Sequence, residues 1–220
     1  MFVVTADQRS SRGGRDRVPA LIEQLRPWAE DHAEVIELPL ERTVGDEVQI
    51  LLSRAEAAVD LSIRLIAAEH WAVGIGAGTV EHPLGASARE SSGEAFYLAR
   101  TAVERAKSRT EPAPVVIEGT DDAAAASATA VLQLLASTIR RRSEGGQQAA
   151  ELKLQGMTQT SIAAELEVTP QAVSKRLRAA MAEEELRVRP VIAQLLSGAA
   201  GEAAGGSADD AAGAPTAASR

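Results

Sequence analysis

The chain has 220 residues, no cysteine and a formal net charge of -8. The missing cysteines exclude disulfides, thiolate zinc sites and thiol nucleophiles. The acidic balance excludes a surface coated with phosphate-binding charge, but not one local basic patch on DNA.

No run reaches the ~20 apolar residues of a membrane span. The start, MFVVTADQRSS, lacks the basic segment and long apolar core of a signal peptide. A reduced, cytoplasmic setting is therefore expected. Arginine far outnumbers lysine, and Ala and Gly are abundant, a composition associated with GC-rich bacterial genomes.

In chain order, FVVTAD predicts a strand. RDRVPALIEQLRPWAE predicts a helix with Val18, Leu21, Ile22 and Leu25 on one face. EVIELPL and EVQILL predict two strands joined by the turn TVGD. AEAAVDLSIRLIAAE predicts a helix with a broad apolar stripe of Ala58, Leu61, Ile63, Leu65 and Ile66. WAVGIGAGTV predicts a strand in which Gly74, Gly76 and Gly78 alternate along one face. That pattern admits a ligand or a close-packed helix, the helix being the commoner cause. GEAFYLARTAVERAK predicts a helix and APVVIEG a strand. The order β-α-β-β-α-β-α-β implies an α+β fold, a ferredoxin-like sheet with helices on one face, over residues 1–119.

Beyond Gly119 the pattern predicts helices only, so residues 120–197 are expected to form an all-helical domain. DDAAAASATAVLQLLASTIRRR reads as one alanine-rich helix ending in the basic cluster Arg140, Arg141 and Arg142. Those arginines can meet DNA phosphate or satisfy the carbonyl end of their own helix. Residues 198–220 hold almost no bulky apolar side chain and are expected to be disordered.

Within the helical part, about residues 157–180 read as a helix-turn-helix. Thr158 is placed to cap one helix, and Thr169 followed by Pro170 to start the next. Ile162, Ala163, Leu166, Val168, Val173 and Leu177 would form the shared core. Gln171, Ala172, Ser174, Lys175 and Arg178 then lie on the outer face of the second helix, where Gln suits adenine and Lys or Arg suits guanine. Thr158, Thr160 and the helix N-termini would hold phosphates, and Thr169, the cap of the second helix, is counted with the DNA-binding residues. The alternative is an ordinary helical hairpin with a solvated polar face. The segment resembles the helix-turn-helix of sigma factor region four and related bacterial regulators. It departs from them at Glu167, where glycine is usual.

In the predicted sheet the end of FVVTAD lies beside the start of EVQILL, which brings Asp7 toward Asp46. Two converging carboxylates repel unless a positive group sits between them, and Mg²⁺ or Mn²⁺ would suit oxygen ligands. The plainer reading is that Asp46 belongs to a hairpin turn. His32, His70 and His82 share no ligand spacing.

ADQRSS, RDRVPALIEQL, VGDEVQILL, VGIGAG and GEAFYLARTAVERAK, in that order, resemble the SatD family across residues 2–118. That family resembles class III nucleotidyl cyclases and GGDEF domains at a distance. The resemblance implies that Asp7 and Asp46 occupy metal-binding positions for Mg or Mn with a nucleotide. It also implies that Arg42 stands where a lysine reads the purine, beside the hairpin Gly45. The positions that match the cyclase asparagine and arginine hold Tyr97 and Thr101, so the groups that stabilise the transition state are missing and no catalytic residue is assigned.

The expectation is a DNA-binding transcriptional regulator, dimeric on double-stranded DNA. Its cyclase-like domain would sense a nucleotide effector or mediate oligomerisation. The alternative is a metal-dependent nucleotide-binding or nucleotide-processing enzyme targeted to DNA.

Overall fold

The structure is a computed structural model and describes residues 1–9 and 15–201. Its sheet is centred on β1 (Phe2–Gln8). β3 (Glu47–Leu52) and β4 (Trp71–Ala77) flank β1, both antiparallel to it. β2 (Ile36–Arg42) lies outside β3, and β5 (Val115–Gly119) runs parallel outside β4. The order β2-β3-β1-β4-β5 gives the first four strands the ferredoxin-like arrangement expected and adds β5 as a parallel edge. The chain is thus mixed α+β, with helices after the sheet.

Period-two alternation assigns the two faces. Phe2, Val4, Ala6, Ile50, Leu52 and Ile75 share a core with α1 (Val18–Asp31) and α2 (Ala55–Ala67). Val3 and Leu51 face the other way, onto α3 (Glu94–Ala106). The sheet is therefore covered on both faces, which corrects the expectation of helices on one face. The cause is β4. A Cβ at Gly76 would lie 2.0 Å from the Ala95 oxygen, and one at Gly74 would lie 2.2 Å from the Val103 nitrogen. With no side chains there, the α3 backbone packs directly on the strand through Ala95, Ala99 and Ala102, all fully buried. The glycine alternation serves helix packing.

Two further helices complete the main body. α4 (Asp122–Ile139) and α8 (Ala182–Ala199) contribute Leu132, Ala136, Ile192 and Leu196 to the same core as the sheet. A second, separate core belongs to α5 (Glu144–Leu154), α6 (Gln159–Glu165) and α7 (Pro170–Ala179). The apolar cores thus group the chain differently from a division at residue 119. The small three-helix unit is inserted between two helices of the main body. Met181 (φ 53°) ends the helical run between α7 and α8. α8 runs through Gly198 and Ala199, the first two residues of the expected disordered tail; residues 202–220 of that tail lie outside the described residues. Among the described residues, α4 is the one helix long and apolar enough to cross a membrane by length and composition, and 44% of it is buried in this fold.

Candidate nucleic-acid interface

The three-helix unit is held by backbone geometry that its sequence specifies. α5 ends with Gly156 in the left-handed region (φ 84°). The Met157 N–H bonds to the Leu152 carbonyl and the Gly156 N–H to the Lys153 carbonyl, the paired bonds of a Schellman stop. α6 ends the same way. The Val168 N–H bonds to the Ala163 carbonyl at 3.0 Å and the Glu167 N–H to the Ala164 carbonyl at 3.3 Å. Here the left-handed position is Glu167 (φ 51°). A residue with a Cβ accepts that conformation at a cost of roughly 1–2 kcal/mol.

Both N-caps lie where the sequence put them. Thr158 Oγ1 accepts from the Ser161 N–H and Thr169 Oγ1 from the Ala172 N–H, each at 3.2 Å. Ile162, Ala163, Val173 and Leu177 are buried, with Leu166 and Val168 packed against them. Gln171, Lys175 and Arg178 are exposed along one side of α7, and Ala172 and Ser174 are half-buried beside them. Thr158, Thr160 and Thr169 are exposed. Residues 143–181 carry Lys153, Lys175, Arg176 and Arg178 against Glu144, Glu151, Glu165 and Glu167, so they have no net charge. Three of the four cations stand on α7: Lys175 and Arg178 on its exposed side, and Arg176 turned onto Gly145 of α5.

The arginine cluster divides. Arg140 and Arg141 are exposed. Arg142 is turned inward, its side chain only 2% exposed and paired at 2.6 Å with the fully buried Glu185 carboxylate. Its Nε also donates to the Ala180 carbonyl at 2.8 Å. Arg142 therefore satisfies the carbonyl end of α7, neither DNA nor its own helix. Glu185 bonds Arg189 as well, at 2.6 and 3.0 Å, and Arg189 pairs with Asp60 on α2. Asp60 also accepts from Arg64 at 2.8 Å and from the Trp28 indole N–H at 2.6 Å. Burial acts to raise the Asp60 pKa, yet Arg64 and Arg189 hold its carboxyl below the ordinary value.

The sheet end holds the other candidates. The tip TVGDE is a hairpin turn: the Glu47 N–H bonds to the Val44 carbonyl and the one positive φ is at Gly45 (64°). Asp7 stands opposite Glu47 in the ladder, and Asp46 lies close enough for its charge to act on Asp7. The Lys107 ammonium pairs with Asp7 at 2.8 Å and with Glu104 at 2.9 Å. Burial raises the Asp7 pKa more than Lys107 lowers it. The Lys107 pKa is also raised: burial alone would lower it, and the bonds to Asp7 and Glu104 outweigh that. Asp46 Oδ2 is buried and without a hydrogen-bond partner among the described residues. Among those residues no three of His, Asp and Glu converge as a metal set; Asp7 and Asp46 form a pair of carboxylates, one of them already paired with Lys107. Arg42 is bound to both oxygens of Asp16 at 2.5 Å. Tyr97 and Thr101 are exposed on α3.

Lys107, Glu185 and Arg189 carry no local signal in the sequence, because their partners are distant along the chain or set by the fold. Asp60 carried a readable signal, since it is an acid inside the apolar stripe of α2. Comparisons with known families, curated proteins and solved structures find no match.

Proposed function

We propose that the chain binds double-stranded DNA through α6 and α7 and acts as a cytoplasmic transcriptional regulator, its main body sensing a ligand or mediating dimerisation. The observation that carries this reading is a tight Schellman turn between two capped helices that leaves Gln171, Lys175 and Arg178 on one open face. In a major groove Gln171 would pair with adenine, and Lys175 and Arg178 with guanine or phosphate. A unit without net charge gains little from non-specific attraction, so a dimer reading two half-sites about 34 Å apart fits it better than a monomer. Selection from a random duplex library tests the reading: it predicts enrichment of a short, dyad-related sequence. Failure to enrich any sequence at low salt would overturn it.

The competing reading is a Mg²⁺- or Mn²⁺-dependent nucleotide site at Asp7 and Asp46, favoured by the unpartnered Asp46 Oδ2. Lys107 stands against it, because its ammonium already neutralises Asp7. A rise in melting temperature with nucleotide and metal that Asp46→Ala abolishes would establish this second reading.

A further inference from the structure

A cleft of about 1220 Å³ opens between the end of α1, the start of α2 and α8. Typical sites for small molecules measure roughly 300–1,000 Å³, so it has room for a bulky one. Its floor is apolar, with Val35, Ala57, Val59 and Ala193. Its rim is acidic, with Asp31, Glu34, Glu56 and Asp60 against Arg54 and Arg189. Both arginines are engaged: Arg54 with Glu56 at 3.5 Å, and Arg189 with Glu185 and Asp60. Neither Asp31 nor Glu34 enters an ion pair among the described residues, and both sit at the carbonyl end of α1, where the helix dipole adds negative potential. An apolar floor under uncompensated negative charge suits a ligand with a large apolar body and a cationic centre.

The cleft also has a route to the candidate DNA-binding helix. Asp60 lines it and holds Arg189; Arg189 holds Glu185; Glu185 holds Arg142; Arg142 bonds the Ala180 carbonyl at the end of α7. Every link is a charge-assisted hydrogen bond, and the Glu185 and Arg142 side chains are shielded from water. A cation that draws on Asp60 weakens its hold on Arg189 and so disturbs the chain.

We propose that this cleft is a regulatory site for an amphiphilic organic cation, and that its occupancy is passed to α7 through Asp60, Arg189, Glu185 and Arg142. The regulatory meaning rests on the DNA-binding reading; binding in the cleft and its effect on α7 do not, and they are measured without DNA.

The probe is tetraphenylphosphonium, and the control is tetraphenylborate, of closely similar shape and opposite charge. Trp28 reports binding: its ring stacks on His32 in the cleft wall, with centroids 4.5 Å apart, and its N–H bonds Asp60. The expected result is saturable quenching by the phosphonium with at least tenfold weaker binding of the borate. The doubly exposed variant Asp31→Lys with Glu34→Lys should reverse that preference. No saturable binding, or equal binding of both ions, overturns the site. Hydrogen exchange in residues 170–181 reads the coupling. Phosphonium should change exchange there in the native chain and leave it unchanged in Glu185→Gln, with Arg189→Gln as the second variant should the first not fold. Binding without any change in the native chain overturns the coupling. If cleft binding and coupling hold while the duplex selection fails, the DNA reading falls and this one stands.

Discussion

Replacing Glu185 with alanine probes the chain of charges between the three-helix unit and the main body. Glu185 is 1% exposed. Its two oxygens serve Arg142 at 2.6 Å and Arg189 at 2.6 Å. Removing it leaves Arg142, whose side chain is 2% exposed, with the Ala180 carbonyl and a long contact to Gln147 at 3.3 Å. An uncompensated buried guanidinium costs about 3–5 kcal/mol, a large share of the ~5–15 kcal/mol that a domain of this kind holds. Urea unfolding followed by far-ultraviolet circular dichroism measures the loss. The pair Glu185→Met with Arg142→Met removes both charges and fills the space, and should recover most of it, because a buried ion pair replaced by apolar side chains is often neutral. A loss below ~1 kcal/mol for Glu185→Ala would mean that water reaches this pair and that it is not a buried ion pair.

Other outcomes follow from particular contacts. Gly76→Ala places a Cβ 2.0 Å from the Ala95 oxygen and 2.3 Å from the Ala99 nitrogen, so α3 must shift; overpacking of this kind costs about 3 kcal/mol, readable as a fall in the urea midpoint. Glu167→Gly relieves the left-handed strain at the α6–α7 turn and should raise stability by ~0.5–1 kcal/mol net of glycine's own entropy; a loss would show that the turn is not strained. Asp60 has a folded pKa below its ordinary value of 3.8, so its contribution is present above that value and lost as pH falls through the folded pKa. Asp60→Asn should therefore lose less stability than the native chain on acidification from pH ~5 to ~2; equal losses in both would contradict the assigned shift.

The sequence made the sheet and the capped helices legible because their signals are local. Strand alternation and the turn at Gly45 determined the hairpin, and threonines followed by helix formers determined the starts of α6 and α7. The covering of both sheet faces depended on a tertiary fact: Gly74 and Gly76 matter because α3 comes to lie on them. Arg142 looked like a phosphate contact because its true partners lie 38 and 43 positions along the chain, at Ala180 and Glu185. Asp7 and Asp46 converge as the strand order implied, but the ion pair of Asp7 with Lys107, which the topology brings from the far end of α3, had no local signal.

The most direct test of the central reading is the salt dependence of duplex binding, measured by fluorescence anisotropy on the enriched sequence. The native chain and a Lys175→Ala, Arg178→Ala variant are compared. The account predicts that the variant loses ~2 kcal/mol or more, about 30-fold in Kd, with a shallower salt slope and an unchanged melting temperature. Equal affinity and equal slope in a folded variant would contradict it, and α7 would then be a solvated helix with no role at DNA.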